Sequence, residues 1–195
     1  MLDELDRELA DSGLKFRKVS GYDPAVWVHL EPVLQQAKWE IVTCSIMLHR
    51  IPSVRRSNPR VHVHSVDAWS SDLAGLYCTD GELDRSFELA RTQFRRVGGE
   101  YLVGYLDSQP ACCTGWYVVN GVARFRHVFT APWARNRGCA TSLILHVQNH
   151  PEVRAQDGLV VMVNPEDGPK ALYRELGFQN VATFWEAQVF LCGAP

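Results

Sequence analysis

Apolar residues recur along this chain at two spacings, three to four residues and two residues, and the switches between them predict the elements. Leu2, Leu5 and Leu9 share one side of a short helix over residues 2–11. LKFRKV, 14–19, predicts a strand. Asp23-Pro24 punctuates the chain, and 25–37 predicts a helix with Val26, Leu30, Val33 and Leu34 inward, with Pro32 costing it a hydrogen bond. EIVTCSIML, 40–48, is rich in β-branched residues and predicts a strand. Residues 50–60 carry Pro52, Pro59, Ser and Asn and read as a linker.

From Val61 the pattern becomes more regular. VHVHSV alternates, with Val61, Val63 and Ser65 on one strand face and His62, His64 and Val66 on the other. A loop and short helix follow over 67–80. Leu83, Phe87, Ala90 and Phe94 then predict a helix over 82–97, ended by Gly98-Gly99. YLVGYL (101–106), CCTGWYVV (112–119) and VARFRHVFT (122–130) predict an antiparallel meander, with DSQP and Asn120-Gly121 as its turns. A loop over 131–137 leads to a helix over 138–148. LVVMVN, 159–164, is nearly all apolar, as for a strand buried on both faces. A helix over 167–176 follows, capped by Asp167 and stopped by Gly177. VATF and WEAQVFL predict a last pair of strands. The fold class is α/β, with a mixed, mainly antiparallel central sheet flanked by helices. Three strands precede the helix at 138 without crossovers, which excludes a doubly wound dinucleotide fold. The chain divides into 1–60, an N-terminal α/β extension or remnant domain, and 61–195.

Composition narrows the function. Of 195 residues, 46% are hydrophobic and 22% charged, ordinary globular values. A net charge of -2 offers no electrostatic case for nucleic acid. The six cysteines form no CxxC pair, so no metal site is expected from them. The acidic start MLDELDRELADSG is not a signal peptide, and no apolar run nears the about 20 residues of a membrane span. No membrane partner is expected, and the cytoplasm is the expected location.

The sharpest chemical feature is Arg135-Asn136-Arg137-Gly138-Cys139-Ala140-Thr141, which follows a strand and opens a helix. Unpaired N–H groups at a helix start cradle anions. Gly138 lets a phosphate approach the backbone. Ala140 permits close packing, Arg135 and Arg137 add charge, and Thr141 adds a hydroxyl. A diphosphate suits such a loop, although Arg-x-x-Gly-x-Ala alone is a common pattern.

In its setting this loop resembles the acetyl-CoA loop of the GNAT superfamily of acetyltransferases: Arg or Gln, two residues, Gly, one residue, Gly or Ala. Further along, Asn164 closes a strand, and Ala171, Leu172 and Tyr173 lead to Leu176-Gly177-Phe178, similar to the family's second hallmark with a shorter Ala-to-Tyr spacing. The resemblance spans Tyr101 to Phe190. It implies a sheet of the acyl-CoA N-acyltransferase type and acetyl-CoA as cofactor. It implies that the 135–141 backbone grips the pyrophosphate. The pantetheine arm would lie along Val128-Phe129-Thr130, between two splayed strands, with Asn164 across the opening. Direct attack by an amine is the family's usual chemistry, with a backbone N–H at Val128 meeting the oxyanion.

Tyr173 is the candidate acid, since a phenol of reference pKa about 10 can protonate a departing thiolate, or it packs the helix on the sheet. For the base, VARFRHVFT holds no carboxylate. His127 has the right chemistry, yet alternation places it with Phe125 and Phe129, as expected for a groove or core histidine. Glu100, Asp107 and Glu186 are remote alternatives, and bulk water is another. His62 and His64 share a face without a third metal ligand. Cys139 sits at a helix start, where a thiol pKa can fall. Trp69, Trp116, Trp133 and Trp185 are structural or groove residues.

The acceptor expected is a primary amine of a small molecule or peptide. Asp72, Tyr77, Asp80 and Glu82 are candidates for attracting a cationic amine, and a short link at Thr183-Phe184-Trp185 leaves the groove open. Residues 1–60 either pack on the sheet edge or on a second subunit, as in a homodimer. An acyl-CoA-binding protein that has lost catalysis, and an acyltransferase for longer chains with a channel widened near Phe125 and Phe129, remain alternatives.

Overall fold

A computed structural model of the chain describes residues 16–68, 70–77, 91–92, 94–164 and 169–190. The helix expected over 2–11, Trp69, Asp80, Glu82, Leu83, Phe87, Ala90 and the Asp167 cap lie outside them. The elements are β1 (Phe16–Gly21), α1 (Pro24–Gln36), β2 (Glu40–His49), β3 (Val61–Val66), α2 (Ser71–Tyr77), β4 (Glu100–Leu106), β5 (Gln109–Val119), β6 (Val122–Thr130), a 3-10 turn (Pro132–Ala134), α3 (Cys139–Gln148), α4 (Pro151–Arg154), β7 (Gly158–Val163), α5 (Lys170–Glu175) and β8 (Phe178–Phe190).

The strands form one eight-stranded sheet in the order β1-β8-β2-β7-β6-β5-β4-β3. Only β6 and β7 run parallel; every other neighbouring pair is antiparallel. The mixed, mainly antiparallel sheet flanked by helices is the fold class expected. The meander closes through two-residue turns with both residues in the left-handed region: Asp107 and Ser108 at φ 53 and 67, Asn120 and Gly121 at φ 50 and 77. That twist matches the strands it joins. Gln109 and Pro110, expected in the first turn, already belong to β5.

Three expectations are corrected. In α1, Val26 and Val33 are 60% and 47% exposed, and Trp27 and Leu34 carry the buried stripe. Trp27 stacks on Trp185 at 5.8 Å, so the larger ring takes the place on the sheet. β7 is not buried on both faces: Leu159, Val161 and Val163 are buried, while Val160 and Met162 are half-buried. The last segment is one strand, not a pair. β2 pairs along nearly all of it, from Glu40 opposite Gln188 to His49 opposite Phe178. Continuous pairing leaves no chain reversal at Thr183–Trp185, so those residues are mid-strand.

Residues 16–49 therefore supply two strands to the same sheet as residues 61–190, and β2 lies inside it between β8 and β7. The 50–60 stretch returns over the end of α5. The N–H groups of Arg50 and Ile51 donate to the Gly177 carbonyl at 3.0 and 3.3 Å, and Val54 N–H donates to Glu175 O at 3.1 Å. Gly177 has φ 88, and a Cβ there would lie 1.9 Å from the Ile51 carbonyl oxygen. Gly98 also has a positive φ, 71, but open space around it. Gly98→Ala should cost about 1 kcal/mol, the left-handed penalty alone. Gly177→Ala should cost about 3 kcal/mol or more, because backbone must move as well. Denaturant titration of the two variants separates the effects; equal losses would show that the strap does not crowd Gly177.

Candidate functional site: a cleft where two strands part

The β6–β7 ladder holds only from Val122–Gly158 to Arg124–Val160. On its far side β7 pairs with β2 from Val160 to Val163. Against β5, Cys113 is opposite Phe129 and Gly115 is opposite Arg126, so β6 carries one extra residue. That residue set includes His127, whose φ is 48. A bulge bends its strand and re-aims side chains. Simple alternation, which grouped Phe125, His127 and Phe129, therefore fails at this point. Three cavities follow the opening.

The first lies at the start of α3, about 590 Å³ in volume, lined by Arg55, Thr130, Arg135, Asn136, Gly138, Cys139, Ala140, Thr141 and Leu172 among others. Asn136 and Gly138 both have positive φ, 60 and 76, which turns the loop sharply into the helix. The first intrahelical bond is Ser142 N–H to Gly138 O at 3.0 Å, so the N–H groups of 139–141 precede the ladder of the helix. A diphosphate fits this donor set: helix-start N–H groups, two arginines and a glycine with no Cβ to block approach. Arg137 does not line the cavity; its carbonyl accepts from Asn58 Nδ2 at 2.8 Å. Asn58 N–H donates to Ser142 Oγ, also at 2.8 Å, which clips the 50–60 strap to α3. Arg55, ion-paired with Glu175, is a cavity residue that sequence reasoning missed. The Pro- and Ser-rich stretch around it read only as linker.

The second cavity, about 240 Å³, fills the gap between β6 and β7 and is lined by Phe125, His127, Val128, Val161, Met162, Val163, Asn164, Pro169 and Tyr173. It adjoins the first at Pro169. Tyr173 is buried, edge-on to Phe178 at 5.5 Å, and burial raises its hydroxyl pKa far above the ordinary phenol value. Such a phenol holds its proton and can only donate it. His127 has exposed area, but that area opens into the cleft, and surrounding protein still strips water from the ring. Desolvation lowers its pKa first, and the charges of Arg126 and Lys18 lower it further. It lines the same cavity as Tyr173, and its neutral form is favoured. Phe129 lies opposite Cys113, packs against the core, and lines none of the three cavities.

The third cavity, about 520 Å³, shares Phe125, His127, Met162, Val163 and Asn164 with the second. Beyond them it is walled by Lys18 of β1, Val42 and Cys44 of β2, Tyr117, Arg124 and Arg126, and Phe184, Glu186 and Gln188 of β8. Of the three remote carboxylates, only Glu186 is here. Lys18 Nζ lies 2.6 Å from its Oε2, and Cys44 Sγ donates to the same oxygen at 3.8 Å. Glu100 instead accepts from Trp116 Nε1 at 2.8 Å, and Asp107 pairs with Arg60 on the surface. Asp72 accepts from Tyr105 Oη at 2.6 Å, and burial, then that bond, push the Tyr105 pKa up to about 12. Asp72 does not line the cleft. Lys18 and Cys44 were missed because nothing in their local pattern says that β1 and β2 reach this sheet.

Trp116 and Trp185 serve packing, through Glu100 and Trp27, and Trp133 is 42% exposed outside the cleft. His62 is exposed, and His64 stands edge-on to Tyr105 at 5.6 Å. The helix start does not activate Cys139. Its side chain is buried, and desolvation raises the thiol pKa against the opposing pull of Arg137.

No protein-family profile and no curated protein matches the sequence. Solved structures match the fold. A GCN5-related N-acetyltransferase from Sphaerobacter thermophilus aligns with TM-score 0.67 at 13% identity, over 98% of this chain and 65% of that one. One from Kribbella flavida aligns with TM-score 0.61 at 18% identity, over 99% and 74%. A functionally unknown conserved protein from Staphylococcus epidermidis aligns with TM-score 0.68 at 12% identity, over 97% and 78%. At these identities the likeness is one of fold: this chain has the fold of GNAT acetyltransferases.

Cys139 should accordingly alkylate in the native protein at least about 100-fold slower than in urea, since modification needs local opening. Mass-spectrometric peptide mapping after timed iodoacetamide exposure measures this; native labelling as fast as unfolded would contradict the burial.

Proposed function

We propose that the protein is an N-acyltransferase that moves an acetyl group from acetyl-CoA to a primary amine. The observation that carries this reading is that three cavities adjoin one another along the parting of β6 and β7: an anion cradle, a narrow slot, and a polar chamber, with Pro169 shared by the first two and His127 by the last two. The GNAT fold supports it. Acetyl-CoA, when bound, supplies an acyl thioester.

In this reading Arg55, Arg135 and the 139–141 N–H groups hold the diphosphate. Val128, Thr130 and Asn164 flank the arm, and the slot excludes water from its reacting end. His127 accepts a proton from the amine nitrogen as the C–N bond forms. The Val128 N–H meets the negative charge that develops on the carbonyl oxygen. Tyr173 would supply the proton that a departing thiolate takes up. Burial keeps Tyr173 protonated, though it weakens the phenol as an acid, and the lowered pKa of His127 favours the unprotonated acceptor.

Calorimetric titration with acetyl-CoA tests the reading first. Wild-type protein should bind; Gly138→Arg and Arg135→Glu should each lose about tenfold in affinity or more. Melting curves accompany both, because a side chain at Gly138 must adopt φ 76 with its Cβ 3.3 Å from that of Asn58. Wild-type protein that does not bind acetyl-CoA removes the proposal.

Tyr173→Phe and His127→Ala should each lower kcat on the order of 100-fold with acetyl-CoA affinity retained. The wild-type acid limb of kcat/KM should have its midpoint below 6.5, since the base works only when unprotonated and burial lowers its pKa. His127→Ala should flatten that limb. A limb that survives the substitution assigns the base elsewhere.

A further inference from the structure

The third cavity selects what the acceptor must look like, and this step rests on the acyl-transfer reading above. Its charged walls are Lys18, Arg124, Arg126 and Glu186. Lys18 is ion-paired with Glu186 at 2.6 Å. Two guanidinium groups are left over. Arg124 reaches the Met162 sulfur, which carries no charge. Arg126 lies 5.6 Å from the centre of the Phe94 ring. Among the described residues neither forms an ion pair with a carboxylate, and both are half-buried.

A partly desolvated arginine without an anion forgoes the charge-assisted bonds that its planar fork is built to make. Two of them, on one strand and at the mouth of the slot, make a receptor for an anionic group. Of the acidic residues expected to attract a cationic acceptor, Asp72 bonds to Tyr105 away from this chamber, and Asp80 and Glu82 lie outside the described residues. We infer that the acceptor is a small amine carrying a carboxylate, of the amino-acid class, held by Arg124 and Arg126 with its nitrogen toward His127.

The same positive walls serve the chemistry. Arg126 and Lys18 already disfavour the charged form of His127. They disfavour an ammonium ion at the same place, so a bound amine loses its proton more readily and presents a lone pair. The carboxylate supplies affinity that a plain amine lacks in a positive field.

The test pairs each standard amino acid with its carboxamide, and adds diamines of similar length, in an assay for released CoA thiol. At least one free acid should be acetylated with kcat/KM about tenfold or more above its amide. Arg124→Met and Arg126→Met should erase that preference while leaving acetyl-CoA affinity, read by calorimetry, at the wild-type value. Preference for amides or diamines, or a carboxylate preference intact in both variants, overturns the inference. Ligand-observed NMR with the same acid and amide pairs, without acetyl-CoA, reads the chamber independently of turnover. Arginine-dependent binding of the acid there, together with failure to bind acetyl-CoA, would sink the acyl-transfer reading and keep the anion site. Equal binding of acid and amide would sink the anion site whatever acetyl-CoA does.

Discussion

Parallel pairing between β6 and β7 stops at Arg124 and Val160, and the site depends on that stop. Backbone N–H and C=O groups inside a sheet are costly to leave without partners. A strand can leave its neighbour only if its other edge stays paired and the vacated groups open onto water or a ligand. On the β6 side, a bulge at His127 turns the strand away and its backbone toward a cleft. On the β7 side, β2 holds the outer edge from Val160 to Val163, so the strand keeps its place when β6 departs. The sheet thereby becomes two blades hinged at a short ladder, and the cleft is the space between them.

Charge is distributed along that cleft with some economy. Arg55 and Arg135 stand at the end beside the start of α3, and Arg124 and Arg126 at the other, with the slot and Tyr173 between. A net charge of -2 for the chain gives no hint of this concentration. Among the described residues Glu186 is the one carboxylate that lines the chamber, and it is ion-paired with Lys18. Burial acts in opposite senses on the two proton-handling groups: it keeps the phenol protonated and the imidazole bare.

Much of the meander and the anion loop was legible because their signals are local. Asn120-Gly121 demands a tight reversal, and Gly138 at φ 76 demands a residue without a Cβ. Tyr173 and His127 were singled out from chemistry and position, and both line the same slot. What escaped was partner choice. EIVTCSIML reads as a strand in any sheet, and nothing in it announces a place between β7 and β8, more than 100 residues away in sequence. With β2 misplaced, Lys18, Cys44 and Arg55 could not be assigned, and β8 was split at Thr183–Trp185. The bulge was invisible for a related reason: VARFRHVFT alternates plausibly throughout, and only its register against β5 reveals the extra residue.

The position of β8 between β1 and β2 has a consequence for how the chain is made. β1 has a single neighbour in the sheet, and that neighbour is residues 178–190. During synthesis, therefore, β1 waits through the production of some 150 further residues before its partner exists. β2 waits almost as long for either edge. Non-local pairing of this kind is slow, and an unpaired strand edge is a template for wrong partners. α1 offers partial protection, because Trp27 and Leu34 can pack on the early strands from the same stretch of chain. This half of the sheet is the one most exposed to misassembly on the ribosome, and the one in which a chaperone would find its grip.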